Sequence, residues 1–222
     1  MRQLFAPGAD AILRLVLWAG VVIVVVGALL AFGYARGDYV GDNYGVGVAP
    51  EQPVPFSHKH HSGELGLDCR YCHTQVEQYA TAGLPPTHTC MTCHSQIWTG
   101  SPMLAPVRDS LANNDPLHWE RVNRLPDYVY FNHSIHITKG IGCSSCHGAV
   151  DTMQLTSAAH SFRMDFCLNC HRAPENNVRP QSQIWNMEWS PPPDQDKQGP
   201  ALVRAYHIAG PQRLTDCSTC HR

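Results

Sequence analysis

The chain has 222 residues, among them 10 Cys and 14 His, and its 16 Lys and Arg nearly balance 18 Asp and Glu at a formal net charge of -2. That balance, with no run of five basic residues, excludes an electrostatic footprint for nucleic acid. Apolar residues make up 43% of the chain, but one block near the N-terminus takes a large part of them. The remainder falls to roughly 38% and holds most of the Pro and Gly, which is thin for an ordinary hydrophobic core.

That block, residues 15–35, carries no charge, and 18 of its 21 residues are apolar. As a helix it spans about 31 Å, the thickness of a bilayer's hydrocarbon core. A secretory signal has a shorter apolar stretch of about 7–15 residues, and Ala31-Phe32-Gly33 and Gly33-Tyr34-Ala35 are weak cleavage sites, so an uncleaved anchor is expected. Arg2 and Arg14 precede the run while Arg36, Asp38 and Asp42 follow it. This asymmetry favours a cytoplasmic N-terminus, with everything after about residue 36 outside the cytoplasm.

Every Cys then belongs to a C-x-x-C-H: Cys69-Cys72-His73, Cys90-Cys93-His94, Cys143-Cys146-His147, Cys167-Cys170-His171 and Cys217-Cys220-His221. Chance would supply about 0.03 such motifs in a chain of this composition. The spacing is that of c-type haem attachment: two thiols on one short helical turn reach the two vinyl groups, and the adjacent imidazole turns onto the iron. Zinc needs no His after each second Cys, and a C-x-x-C disulfide closes too small a loop to restrain the unfolded chain. Five covalently attached haem c groups are therefore expected, serving also as the missing interior. The expected fold class is a multihaem cytochrome c, mostly loop with short α-helices around covalent haems plus one N-terminal transmembrane helix. A short extended piece is expected at Tyr128-Val129-Tyr130-Phe131.

The motifs are spaced as two, two and one. Before each pair stands F-x-H-x-x-H, as Phe56-Ser57-His58-Lys59-His60-His61 and Phe131-Asn132-His133-Ser134-Ile135-His136. A duplicated His pair at a fixed distance from duplicated haem motifs makes His58, His61, His133 and His136 candidate distal ligands, with His60 a bystander. The chain divides accordingly into an anchor (1–36), a first dihaem module (37–103), a connector (104–125), a second dihaem module (126–175) and a tail with the fifth haem (176–222). For the fifth iron, spacing leaves His207, His160 and Met164 open and favours His207, which precedes Cys217 as His133 precedes Cys143. The stretch from Pro180 to Pro200, with Trp185, Trp189 and three consecutive Pro, reads as a haem-covering loop or a partner-docking arm.

The segments PVPFSHKHHSGELGLDCRYCH, GLPPTHTCMTCHSQIW, LPDYVYFNHSIH, GCSSCHG, MDFCLNCHRAPE and CSTCHR resemble the membrane-anchored pentahaem cytochrome c subunit of alternative complex III, a bacterial quinol:electron-acceptor oxidoreductase. The resemblance covers nearly the whole chain. It implies His58, His61, His133 and His136 as distal ligands and Met164, three residues before Cys167, as the fifth. Phe166 stands where that family usually has Trp. The resemblance further implies a bacterial inner-membrane location with the haem region periplasmic. The implied partners are a polytopic quinol-binding subunit, an iron–sulfur subunit, and a monohaem cytochrome c or oxidase as acceptor.

Two function classes follow. A non-catalytic electron conduit needs every iron six-coordinate, whereas a nitrite-reductase-like enzyme needs an open iron and often a C-x-x-C-K motif, which no motif here has. The conduit is expected, passing electrons within a quinol-oxidising complex to a periplasmic acceptor. The alternative is a membrane-anchored quinol dehydrogenase subunit feeding a periplasmic reductase.

Overall fold

A computed structural model describes residues 8–36 and 45–221. The chain splits into two compact units, Met1–Asn43 and Tyr44–Arg222. In the first, helix α1 runs from Ala9 to Arg36, 28 residues with Asp10 in its first turn. Asp10 favours the positive end of the helix and pairs with Arg14 one turn later at 2.7 Å. Large apolar side chains from Ile12 to Phe32 are exposed all round the helix, which is long and apolar enough to cross a membrane. Of the flanking charges behind the expected orientation, Arg2, Asp38 and Asp42 lie outside the described residues.

The second unit is a succession of short helices. Each C-x-x-C-H lies on one: α2 (Cys69–Cys72), α3 (Thr87–His94), then α6 (Ser144–His147), α7 (Met164–Arg172) and α10 (Cys217–Cys220). Two of these single turns are held by an aspartate at the N-cap. Asp68 accepts from the Arg70 amide and Asp216 from the Ser218 amide, satisfying donors that a four-residue helix leaves open. Helix α5 (His133–Thr138) is capped in the same way by Asn132, which accepts from Ile135 N.

Two longer helices lie where only loop was expected, α4 (Ala105–Asn113) in the connector and α8 (Gln195–Ala205) in the tail. Helix α4 is explained by Leu104, Val107 and Ser110, buried at a three-residue interval. It ends on Asn114 in the left-handed region at φ 52°. Helix α8 has no apolar period in its sequence. Its buried position is Gly199, which lets the helix approach the carbonyl of Glu175 where any Cβ would collide. Helix α9 (Pro211–Leu214) precedes the last motif. The extended piece at residues 128–131 is present as one antiparallel bridge between Val129 and His221, with Tyr130 N donating to Cys220 O at 2.8 Å. Among the described residues it pairs with the final motif and builds no sheet.

The core is small. Its buried apolar residues are Val54, Val76, Leu104, Val107, Ile137, Ala158, Val178 and Ile184. Six of them form two clusters, each packed against a cysteine of a haem motif: Val54, Leu104 and Val107 against Cys90, and Val76, Ile137 and Ile184 against Cys143. A unit of this size with so little buried apolar surface depends on other material for its interior. Within residues 178–189, Val178 and Ile184 are fully enclosed and the Ile184 carbonyl accepts from Cys143 N at 3.4 Å, so this part of the tail packs on the third motif. Replacing Ile184 with Ala should lower stability by about 3 kcal/mol, read as an earlier denaturant midpoint of the Soret band at unchanged haem content.

Candidate haem-binding centres

The F-x-H-x-x-H repeats build the same local cage twice. Phe56 stacks on His61 at 4.4 Å between centroids and meets His58 edge-on at 4.9 Å. Phe131 stacks on His136 at 4.4 Å and meets His133 edge-on at 4.8 Å. The phenylalanine fixes the angle between two imidazoles that the backbone alone would leave free to rotate. In both repeats the second His donates from Nδ1 to the carbonyl four residues back, His61 to Ser57 and His136 to Asn132.

The first His of each repeat is held by the other module. His58 Nδ1 meets Thr156 Oγ1 at 2.8 Å, and His133 Nδ1 donates to Ala80 O at 2.8 Å. The two modules therefore interlock, each orienting a histidine of its counterpart.

Every proximal histidine is anchored through Nδ1 as well. His73 donates to Gly83 O at 2.8 Å, His94 to Ile97 O at 3.3 Å, His171 to Leu214 O at 2.9 Å and His221 to Tyr128 O at 3.2 Å. The Asn123 amide lies 3.0 Å from His147 Nδ1. Turned so that its oxygen faces the ring, it accepts the same kind of bond and satisfies an amide oxygen that is otherwise buried without a partner. Fixing Nδ1 in this way sets the tautomer and presents Nε2 to a metal. His60 differs, since its Nδ1 is engaged by Glu64 on the surface.

The rings then meet in pairs. His58 faces His73 at 6.4 Å between centroids, His61 faces His94 at 6.2 Å, His133 faces His147 at 6.3 Å, and His136 faces His171 at 6.2 Å. A first-row metal bonds an imidazole nitrogen at about 2 Å, and the nitrogen lies about 1.15 Å from its ring centre, so two rings on opposite sides of one metal stand about 6.3 Å apart. The residues fit haem iron ligated on both faces. Each first histidine of a repeat serves the first motif of its pair, and each second histidine the second.

At four of these rings burial favours the neutral, ligating form. Burial, with the neighbouring His73 and His61, lowers His58 to about 4, and burial with His133, His73 and His58 lowers His147 to about 4. His61 and His136 are also lowered, chiefly by burial.

Among the described residues, no imidazole faces His221, whose nearest ring is Tyr128 at 5.8 Å. His160 is stacked on Phe166 at 5.1 Å, and His207 is exposed with its backbone at φ 50° and its carbonyl accepting from Lys139 Nζ. Met164 opens α7 with its side chain 67% exposed. Helix α7 carries Cys167, whose thiol is pushed up first by burial and then by nearby Cys220 of the last motif.

The thiols reveal the order of the motifs in space. Cys69 and Cys143 lie close enough to interact, which lowers Cys69 to about 7 and, together with burial, raises the more deeply buried Cys143. Cys90 acts on Cys72, and Cys170 and Cys167 act on Cys146, which burial first of all raises to about 11. Tyr71 Oη lies 2.8 Å from Thr92 Oγ1, joining the first two motifs, and His171 Nδ1 donates to Leu214 O just before the fifth, so the first motif neighbours the second and third and the fourth neighbours the third and fifth. Sequence order hides this. The Nδ1 acceptors were equally illegible, because Gly83, Ala80, Ile97 and Leu214 contribute only backbone carbonyls; the repeated phenylalanine was the one visible signal.

Short helices without strands among the described residues, wrapped around Cys pairs and their adjoining histidines, define a multihaem cytochrome c with covalently bound haem c. Residues 42–104, which hold the first F-x-H-x-x-H and the first two motifs, match the class III cytochrome c family. Over 98 residues the chain is 37% identical to the menaquinone reductase, multiheme cytochrome c subunit, of Nitratidesulfovibrio vulgaris (strain Hildenborough), a match covering 44% of this chain and 46% of that protein. The chain thus matches about half the length of that relative.

The ring planes give a spectroscopic test. His61 and His94 are inclined by 66°, whereas the other three pairs lie within 20° of parallel. Parallel ligand planes split the iron dπ orbitals and crossed planes leave them nearly degenerate. Ferric electron paramagnetic resonance should show one bis-histidine centre with a highly anisotropic, large-gmax signal and three rhombic ones. Replacing His61 with Ala should abolish the former and spare the rest.

Proposed function

We propose that this protein is a five-haem electron-transfer subunit of a membrane-bound, quinol-oxidising respiratory complex of the alternative complex III type, passing electrons to a periplasmic acceptor. The single observation that carries the proposal is the set of four facing imidazole pairs at 6.2 to 6.4 Å. His58 with His73, His61 with His94, His133 with His147 and His136 with His171 would each hold a haem iron between two imidazoles, leaving it no site for a substrate. When bound, the haems supply one-electron chemistry, each iron alternating between ferric and ferrous.

The chain's own residues do the rest. His73, His94, His147, His171 and His221 hold the proximal faces. His58, His61, His133 and His136 would hold four irons from the other side, and Met164 would offer a thioether to the remaining one, which would raise the potential of that centre. The cysteine pairs lay out five sites in the order second, first, third, fourth, fifth. Neighbours are in contact, so no part of the protein has to move for an electron to advance. The second and fifth motifs are the ends of this relay and the places where partners exchange electrons with it. Helix α1 serves as a single-pass anchor with its N-terminus in the cytoplasm and the haem unit on the periplasmic side. A lone apolar helix cannot enclose a quinone head group, so quinol chemistry belongs to a polytopic partner, with an iron–sulfur subunit and a monohaem cytochrome c or oxidase completing the path. The subunit is not itself an enzyme.

A second reading reverses the direction. The relative's name is that of a menaquinone reductase subunit, and a relay of closed irons carries electrons equally well toward a quinone or, as a quinol dehydrogenase subunit, away from one to a periplasmic reductase.

A pyridine haemochrome assay should return five haems per chain, and the dithionite-reduced protein should bind no carbon monoxide and turn over no nitrite. Met164→Leu should remove the near-infrared Met-to-iron band and lower one midpoint potential, leaving four; loss of that band only in His207→Ala would reassign the ligand. Purified with its membrane partners the protein should be reduced by a menaquinol analogue, and purified alone it should not. Menaquinone reduction by the complex with no quinol oxidation would select the second reading.

A further inference from the structure

Arg179 is 2% exposed and is among the largest fully buried side chains in the described structure. Its guanidinium is held only by neutral groups. Nη2 donates to Ser145 Oγ at 2.8 Å and Ser144 Oγ at 3.2 Å, and Nη1 donates to Ser144 Oγ at 3.2 Å, Asn186 O at 3.2 Å and Gln183 O at 3.4 Å. Its flat face lies 4.1 Å from the ring centre of Trp189, and Nε is buried with no partner. Among the described residues no carboxylate pairs with it. A buried cation without a counter-ion is costly and is kept only where the surroundings over-determine it.

The surroundings do so here. Ser144 and Ser145 are the two residues between Cys143 and Cys146, so the guanidinium rests on the attachment turn of the third motif. Gly142 leaves room for it where a Cβ would collide with the guanidinium carbon. Gly140, at φ +79°, receives the Arg179 amide on its own carbonyl at 2.9 Å, and a Cβ there would come within 2.8 Å of the Arg179 carbonyl oxygen. The sequence preceding Cys143 thus admits this arginine through two glycines, and residues 183–189 close over it.

We propose that Arg179 is a fixed positive charge that raises the midpoint potential of the haem held by Cys143, Cys146 and His147. The inference rests on the haem-binding reading of the third motif. Reducing a ferric iron adds one electron and removes one unit of positive charge, so a nearby cation disfavours the oxidised state. No proton and no co-reactant are needed. In a water-poor setting at an effective permittivity near 20, a unit charge about 12 Å away shifts the ratio of reduced to oxidised haem by about tenfold.

The test is a mediated redox titration of the full chain, with haem content measured in parallel. Arg179→Gln should lower one of the five midpoints by the equivalent of about tenfold in that ratio and leave the other four in place. Arg179→Lys, which keeps the charge, should restore it. Ser145→Asp keeps the arginine and its packing but sets a carboxylate against it; this variant should lower the same component and decides the question if the Gln variant fails to mature. Five unchanged midpoints in a five-haem Gln or Asp variant would overturn the proposal, as they would mean that the charge is already neutralised, for instance by a haem propionate. An equal fall in the Gln and Lys variants would also overturn it, since packing and not charge would then be responsible. A wild-type chain that matures with the third motif empty would instead defeat the haem assignment on which the inference stands.

Discussion

An imidazole has two ring nitrogens, and in this protein the candidate ligands commit one of them to the protein itself. Nδ1 of each proximal and each distal histidine is held by a carbonyl, a hydroxyl or an amide, which leaves Nε2 as the coordinating atom. A free imidazole could rotate about its side-chain bonds and ligate through either nitrogen. Rings pinned in this way meet in pairs at a separation that matches one metal between them. The rest of the fold exists to bring the acceptors to the right place, and many of those acceptors are backbone oxygens of remote loops.

This arrangement explains why so loop-rich a chain holds together. Few apolar side chains are buried, and the two clusters they form each rest on a haem-binding cysteine. A protein of ordinary design fills its interior with Leu, Ile and Phe. Here the covalently tethered macrocycles supply that apolar volume, and the chain supplies walls and hydrogen bonds. Reciprocal anchoring of His58 by Thr156 and of His133 by Ala80 adds a second constraint, because neither module can orient its own ligands without the other. What reads in sequence as two duplicated modules is in space one interlocked body of residues 44–222.

Interlocking also changes the order of the redox sites. The first and third motifs touch through Cys69 and Cys143, which are 74 positions apart in the sequence, and this contact places the first module's second motif at one end and the final motif at the other. The third motif, in the middle, is also where a buried arginine rests on the attachment turn. Position in the relay and electrostatic environment are therefore set by the same packing. A relay of this kind has no preferred direction of its own; the potentials of its centres and the partners at its ends impose one.

The sequence by itself determined whatever is local. The C-x-x-C-H motifs are confined to single helical turns, the F-x-H-x-x-H element to less than two, and the apolar run of α1 needs no tertiary partner to be helical. The histidine repeat even marked four imidazoles that the structure brings opposite proximal ones, because duplication preserved their spacing. Tertiary structure decided which histidine faces which, where each Nδ1 bond ends, the spatial order of the motifs, and the burial of Arg179. It also made helices of residues 105–113 and 195–205, the second through a close approach at Gly199 that no hydrophobic period announces. The reason is physical: spacing along a chain constrains groups one or two turns apart, whereas contacts across 35 to 98 residues exist only once loops close, and a backbone carbonyl that accepts such a bond has no side chain to betray it.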